Sequence, residues 1–304
     1  MMAERKQFSM KTYSTAYIFP GQGSQHLGMG KDLFERYPEI EKEADDILGY
    51  SIRKLCLEDP DKELVQTQFT QPALYTVNAM TYRAAVAERG IGGDILAGHS
   101  LGEYNALHAA DVFDFATGLK LVRRRGEIMS KIKGGGMAAV LGMSSSETKD
   151  FLTKNGLTTL DVANENSPSQ AVISGREEDI KSAMKPFGSI EGCNFIPLRV
   201  SGAFHSRYMQ DARAEFEDYL RQFEFKAPQR AVLSNVEARP YTEERVQELL
   251  SKQITNPVKW CETVQVMLGA GIDQIHEAGP GTVLDKLVIS IRQQAPAIAI
   301  DWPI

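Results

Sequence analysis

Cysteine is scarce in this chain: Cys56, Cys193 and Cys261 are the only three among 304 residues, and they lie far apart with no CxxC pair. That spacing argues against a disulfide scaffold and a structural zinc site, and it suits a reducing, cytoplasmic compartment. No apolar run approaches the ~18–20 residues that a membrane-spanning helix requires. Positive charge is not in surplus either, since 34 Lys and Arg stand against 40 Asp and Glu for a formal net charge of −6. Nothing therefore draws the chain to nucleic acid or to an anionic membrane, and an anionic partner must be met by a local basic patch. Internal repeats and low-complexity tracts are also missing. Polar Met1–Ser14 lacks the apolar core of a signal peptide and reads as a flexible leader.

What is present is the material of a folded α/β protein. Hydrophobic residues make up 42% of the chain, too many for a disordered one. Short apolar runs at Thr15–Phe19, Asp94–Ala97, Ala231–Leu233 and Ile298–Ile300, with helical stretches between them, suit a mostly parallel sheet covered by helices. The middle of the chain follows another rhythm. After Gly134-Gly135-Gly136 come a strand-like Met137–Met143 and then Ser144-x-x-Glu147, a capping box that opens a helix. Strand candidates at Thr159–Val162 and Gln170–Ser174, a helix at Glu177–Phe187 and a strand at Asn194–Val200 complete the order βαββαβ. That order is the ferredoxin-like unit. The expected architecture is a large α/β domain from residues 15–132 and 202–304. A ferredoxin-like domain at 133–201 is inserted in it, with the triglycine as one hinge.

Gly98-His99-Ser100-Leu101-Gly102 has the G-x-S-x-G form of a nucleophile elbow, placed between a buried strand and a helix as that turn requires. The elbow holds a serine oxygen at a helix N-terminus, where backbone N–H groups favour anionic charge. This context favours a nucleophile over a plain glycine-bounded turn with a capping serine. Of the five histidines, His205 lies just past the return strand of the insert, at the mouth between the two domains. It is favoured there as the base over His276, which the hydrolase chain order would use. His99 should point its ring away from the Ser100 oxygen, His108 should pack or face solvent, and His26 sits in a loop.

On the helix expected over Phe115–Ile132, Arg125 falls inside the apolar stripe, whereas Arg123 and Arg124 face outward. A guanidinium on a buried face keeps its charge and needs an anionic partner. An internal carboxylate and a bidentate substrate carboxylate fit equally well at this point. Gly21-Gln22-Gly23-Ser24-Gln25 fails as a dinucleotide fingerprint and as a phosphate loop. It can be a tight turn, or it can offer backbone N–H groups to an oxyanion.

Taken in order, several stretches resemble one family. They are Ile18–Gln25, Thr70–Leu74, Gly98–Tyr104, Leu121–Gly126, Asn166–Pro168, Gly202–Ser206, Asn256–Trp260 and Glu277–Gly281. The family is the malonyl-CoA:acyl-carrier-protein transacylases, the acyltransferases of fatty acid and polyketide synthesis. The resemblance implies a hydrolase-like α/β core with a ferredoxin-like insert. It implies that Ser100 is the acylated nucleophile and His205 its base, and that Arg125 grips the malonyl carboxylate. It further implies an oxyanion hole from the Gln22 and Leu101 amides, substrate contacts from Gln71, His99 and Phe204, and a Gln253 backbone carbonyl that orients His205. The Gly-Ala-Phe-His form resembles members selective for malonyl over methylmalonyl. No metal or redox cofactor is implied. The expected partners are malonyl-CoA and the phosphopantetheine thiol of an acyl carrier protein or polyketide carrier domain, met by a monomer. Arg199, Arg207, Lys131 and Lys133 are the candidates for a carrier-facing basic patch. The alternative is an acyl-carrier-protein hydrolase on the same scaffold, although relatives with that role tend to lack the arginine. An esterase using His276 and a non-catalytic docking protein are weaker rivals.

Overall fold

The computed structural model describes residues 14–200 and 202–301, so the expected leader lies outside the described residues up to position 13. In chain order, β1 (Thr15–Phe19) leads to α1 (Lys31–Arg36), α2 (Pro38–Leu48), α3 (Ile52–Leu57) and the long α4 (Thr67–Arg89). Next come β2 (Ile95–Gly98), α5 (Gly102–Ala109) and α6 (Phe115–Lys131). The middle runs β3 (Gly135–Leu141), α7 (Ser145–Lys154), β4 (Asp161–Ser167), β5 (Gln170–Arg176), α8 (Glu177–Gly188) and β6 (Asn194–Pro197). The remainder is α9 (Gln210–Leu220), β7 (Ala231–Leu233), α10 (Val246–Gln253), α11 (Trp260–Gly269), β8 (Gln274–Glu277) and α12 (Val283–Gln294).

Two sheets result. The first is wholly parallel in the order β7-β2-β1-β8, and the second is antiparallel in the order β4-β5-β3-β6. The second order is that of a ferredoxin-like unit, as the βαββαβ pattern predicts. In β1, Tyr17 and Phe19 enter the cluster under α4 and α6, while Ala16 and Ile18 enter the one under α11 and α12. Burial on both faces explains why this strand reads as an unbroken apolar run. The antiparallel sheet is two-faced in another way. Ala138 and Val140 of β3 pack on α7 and α8, whereas Met137 and Ala139 turn toward the large core and wall its cavity. Successive side chains of a strand point to opposite faces, so one strand serves both.

Some expectations require correction. Ile298–Ile300 forms no strand; its place in the parallel sheet is taken by β8. The Ile298 N–H donates instead to the Gln265 carbonyl at 2.9 Å. The segment lies so close to α11 that a Cβ on Gly269 would collide with the Ile298 carbonyl. β4 runs on to Ser167 through polar Asn164 and Asn166, which hid it from an apolar pattern. Gly135 and Gly136 belong to β3, and only Gly134 of the triglycine takes a left-handed φ, 76°. Gly135 is needed for contact rather than bending, because a Cβ there would strike the Ala203 backbone. Among the described residues no helix is long and apolar enough to cross a membrane.

Candidate active site

The turn from β2 to α5 is built by steric exclusion. A Cβ on Gly98 would overlap the Gly102 backbone, and one on Gly102 would overlap the Phe19 carbonyl. Ser100 is held between them at φ 51°, a left-handed conformation that non-glycine residues seldom adopt. Asn235, just past β7, fastens this strained turn. Its Oδ1 accepts the Ser100 N–H at 2.7 Å and its Nδ2 donates to the Gly98 carbonyl at 2.6 Å.

Ser100 Oγ lies 2.7 Å from His205 Nε2. His205 is itself strained, with φ 56°, and only 4% exposed. Its Nδ1 lies 2.8 Å from the backbone carbonyl of Gln253, the last residue of α10. Carbonyls at a helix C-terminus lack intrahelical partners, so this one is free to accept. A carbonyl only accepts, which places the proton on Nδ1 and leaves Nε2 to accept from the serine hydroxyl. Burial first, and then the charge of Arg125, push His205 down to about 3, so the ring is neutral over the whole neutral range.

Arg125 arrives from α6, which Asp114 caps by accepting the Thr117 N–H at 2.8 Å. Gly126 allows α6 to lie against α4, since a Cβ there would be 3.0 Å from the Thr67 carbonyl. The buried guanidinium reaches three oxygens. Nη1 donates to Gln71 Oε1 at 2.8 Å, and Nη2 donates to Gln253 Oε1 at 2.8 Å and to Ser100 Oγ at 3.1 Å. All three acceptors are neutral, and among the described residues no carboxylate pairs directly with it. Arg123 and Arg124 face outward and pair with Glu127.

Gln22, Leu101 and Phe204 line the same cavity, whose volume is about 280 Å³. Among the described residues no hydrogen bond takes up the Gln22 or Leu101 N–H, so both donors are open beside Ser100. His99 turns its ring to β4, where Nε2 lies 2.9 Å from Asn166 Oδ1 and 3.2 Å from Asn164 Nδ2. The elements thus bring together every residue expected of the site. They do not bring His276, which sits on β8 against Arg89 and Tyr17. His108 is held by the Phe113 carbonyl, and His26 stays in its loop.

Two further residues escaped sequence reasoning. Asn235 stands at the C-terminal end of a parallel strand, where sites of such sheets collect, and that position was the available signal. Glu103, on α5, is fully buried. It accepts from the Asn235 N–H at 2.7 Å, from Tyr241 Oη at 2.8 Å and from Gln253 Nε2. Burial pushes it up to about 7 despite those donors. It ties the residue that fixes the elbow to the residue that orients the histidine. The expected basic patch is smaller than its sequence suggests. Lys131 pairs with Glu215 at 2.8 Å and Arg207 pairs with Asp161, which leaves Arg199 and Lys133 as its exposed members without an ion pair among the described residues.

Known proteins share this arrangement of the chain. Residues 16–296 match the acyl transferase domain family. A polyketide biosynthesis malonyl CoA-acyl carrier protein transacylase of Bacillus velezensis is 49% identical over 282 residues, spanning 92% of this chain and 98% of that protein. The solved malonyl CoA-acyl carrier protein transacylase of Burkholderia pseudomallei superposes with a TM-score of 0.90 at 47% identity, over 94% of this chain and 100% of that one. A malonyl-transacylase solved in complex with its type II polyketide-synthase acyl-carrier protein gives a TM-score of 0.87 at 34% identity, over 95% of this chain and 96% of that one. With its fold, its length and its sequence all matched, the chain belongs to the acyl transferase family, among the malonyl CoA-acyl carrier protein transacylases.

Proposed function

We propose that this enzyme moves a malonyl group from malonyl-CoA to the phosphopantetheine thiol of an acyl carrier protein, through a malonyl ester on Ser100. The observation that carries the reading is Arg125, a buried guanidinium with neutral partners, 3.1 Å from the nucleophile oxygen. A charge so placed suits an acyl group that ends in a carboxylate.

In the first half-reaction His205 Nε2 takes the Ser100 proton as Oγ attacks the thioester carbonyl. The Gln22 and Leu101 amides receive the oxyanion, and the C–S bond breaks as the CoA sulfur takes the proton from His205. In the second, the carrier thiol gives its proton to His205, its sulfur attacks the Ser100 ester, and Oγ leaves with the proton. The Gln253 carbonyl keeps the ring oriented throughout. These steps use no metal or redox cofactor. Phe204 fills space beside the acyl α-carbon; a methyl branch there costs about 1–3 kcal/mol, a preference and not a bar.

The malonyl-transacylase solved with its carrier protein supports a carrier as the acceptor here. The relative at 49% identity, named for polyketide biosynthesis, supports a polyketide carrier in particular. Arg199 and Lys133 are the exposed cations proposed to meet it. We also propose the division 15–132 and 202–304 against 133–201, with the smaller part walling the site. Substitution of Arg125 tests the carboxylate grip. Arg125→Ala should collapse the ratio of kcat/KM for malonyl-CoA over acetyl-CoA, and an unchanged ratio contradicts it.

A further inference from the structure

His205 lacks the support that a general base of its kind ordinarily has. In a Ser-His-Asp triad a carboxylate stabilises the imidazolium that forms as the serine proton moves. Here Nδ1 meets a neutral carbonyl, and the ring is too buried for water to spread the new charge. The nearest charge has the wrong sign. Arg125 Nη2 and His205 Nε2 converge on the same Ser100 oxygen, at 3.1 and 2.7 Å. Proton transfer would therefore place a second buried cation beside the first.

Among the described residues, no carboxylate hydrogen-bonds to His205 or pairs directly with Arg125. Glu103 is held by Asn235, Tyr241 and Gln253 and stands behind the Gln253 side chain. His99 is tied to Asn166. In the second cavity that His205 borders, Arg207 is paired with Asp161, Lys149 with Glu165, and Arg213 donates to Ser251.

We infer that the carboxylate of the malonyl group, once gripped by Arg125, cancels the charge that opposes protonation of His205, so that the substrate completes its own catalytic base. This rests on the transacylase reading and extends it, because the carboxylate then acts in the chemical step as well as in binding. The fall of His205 to about 3 in the free site, partly caused by Arg125, agrees with this geometry. A ligand carboxylate that occupies the Arg125 donors also competes for the hydrogen bond now made to Ser100 Oγ.

The test compares malonyl-CoA with malonamoyl-CoA, whose terminal carboxylate is replaced by a neutral amide of the same shape. Acylation of Ser100 is followed in a single turnover at saturating donor, from about pH 3 to 8 so that both acid limbs fall within the range. The saturating rate constant for malonamoyl-CoA should fall at least ~10-fold below that for malonyl-CoA. The acid limb should lie at higher pH for malonyl-CoA, because its carboxylate raises His205. Arg125→Gln should bring the two limbs together. Equal saturating rate constants, with the half-saturation alone changed, would overturn the inference, as would coincident limbs in the unsubstituted enzyme. Failure of malonyl-CoA to acylate Ser100 at all would instead overturn the transacylase reading on which it stands.

Discussion

Two strained residues and a group of buried ionisable and amide side chains meet at one end of the parallel sheet, whereas the antiparallel sheet buries no charged side chain among the described residues. Ser100 and His205 both sit at positive φ, and around them Arg125, Glu103, Asn235 and Gln253 are almost fully buried. Between Gly135 and Pro197, among the described residues, no residue other than glycine has positive φ. The interior of that sheet is Ala138, Val140, Leu152, Ile173, Phe187 and similar apolar groups. Its buried polar side chains are neutral, namely Asn164 and Asn166, which turn to His99, with Ser167 and Ser174. The contrast teaches where each kind of free energy is placed. Apolar burial stabilises the smaller sheet as a wall, whereas the parallel sheet holds unfavourable conformations and charges where the proposed chemistry needs them.

The contrast can be broken most severely at the nucleophile. Ser100→Ala should abolish the covalent adduct formed with malonyl-CoA while leaving the fold intact, and an adduct that persists on the protein would remove Ser100 from its role. His205→Ala should retain the serine but slow acylation by about 10³-fold or more.

A cavity in the wall should separate stability from activity. Phe187→Ala should cost about 3–5 kcal/mol in urea unfolding, with kcat/KM per folded molecule nearly unchanged. If kcat/KM falls with stability, the smaller sheet does more than support the site.

A milder change sharpens the other side. Glu103→Gln keeps the shape but faces the Gln253 amide with a side chain that is partly a donor, and should cost about 1–3 kcal/mol. Its pH dependence is more telling. With a folded-state value of about 7 against an ordinary 4.5, Glu103 holds extra protons in the native state between those pH values. Its contribution to stability is thus fully present in acid and lost as pH rises through that window. His205 acts oppositely, since its fall from 6.5 to about 3 makes stability rise with pH through that interval. Unfolding free energies of the unsubstituted protein and Glu103→Gln, measured across both windows, should diverge as pH falls from about 7 toward 4.5, with the unsubstituted protein gaining. Parallel curves would show that Glu103 titrates normally.

Much of this site could be read from the sequence because its parts are local. The G-x-S-x-G turn is dictated by glycines whose replacement collides with backbone, and Arg125 betrays itself by standing in an apolar stripe. The βαββαβ order was legible from the strand-like runs and from the Ser144–Glu147 capping box, which is present in both directions. What was not legible depends on distant segments meeting. Asn235 and Ser100 are far apart in the chain, and nothing in either neighbourhood announces their hydrogen bond. Glu103 lies within a recognisable stretch, yet its importance comes from Asn235, Tyr241 and Gln253 arriving around it. Ile298–Ile300 misled for the converse reason, since an apolar run can cover a helix as readily as join a sheet.

The most direct measurement is intact-protein mass spectrometry after brief exposure to malonyl-, methylmalonyl- and acetyl-CoA, with and without a holo carrier protein. The account predicts a malonyl adduct on the enzyme that disappears as the carrier gains the same mass, with methylmalonyl and acetyl adducts weaker. An adduct that decays to free malonate while the carrier stays bare would contradict it and make the enzyme a hydrolase.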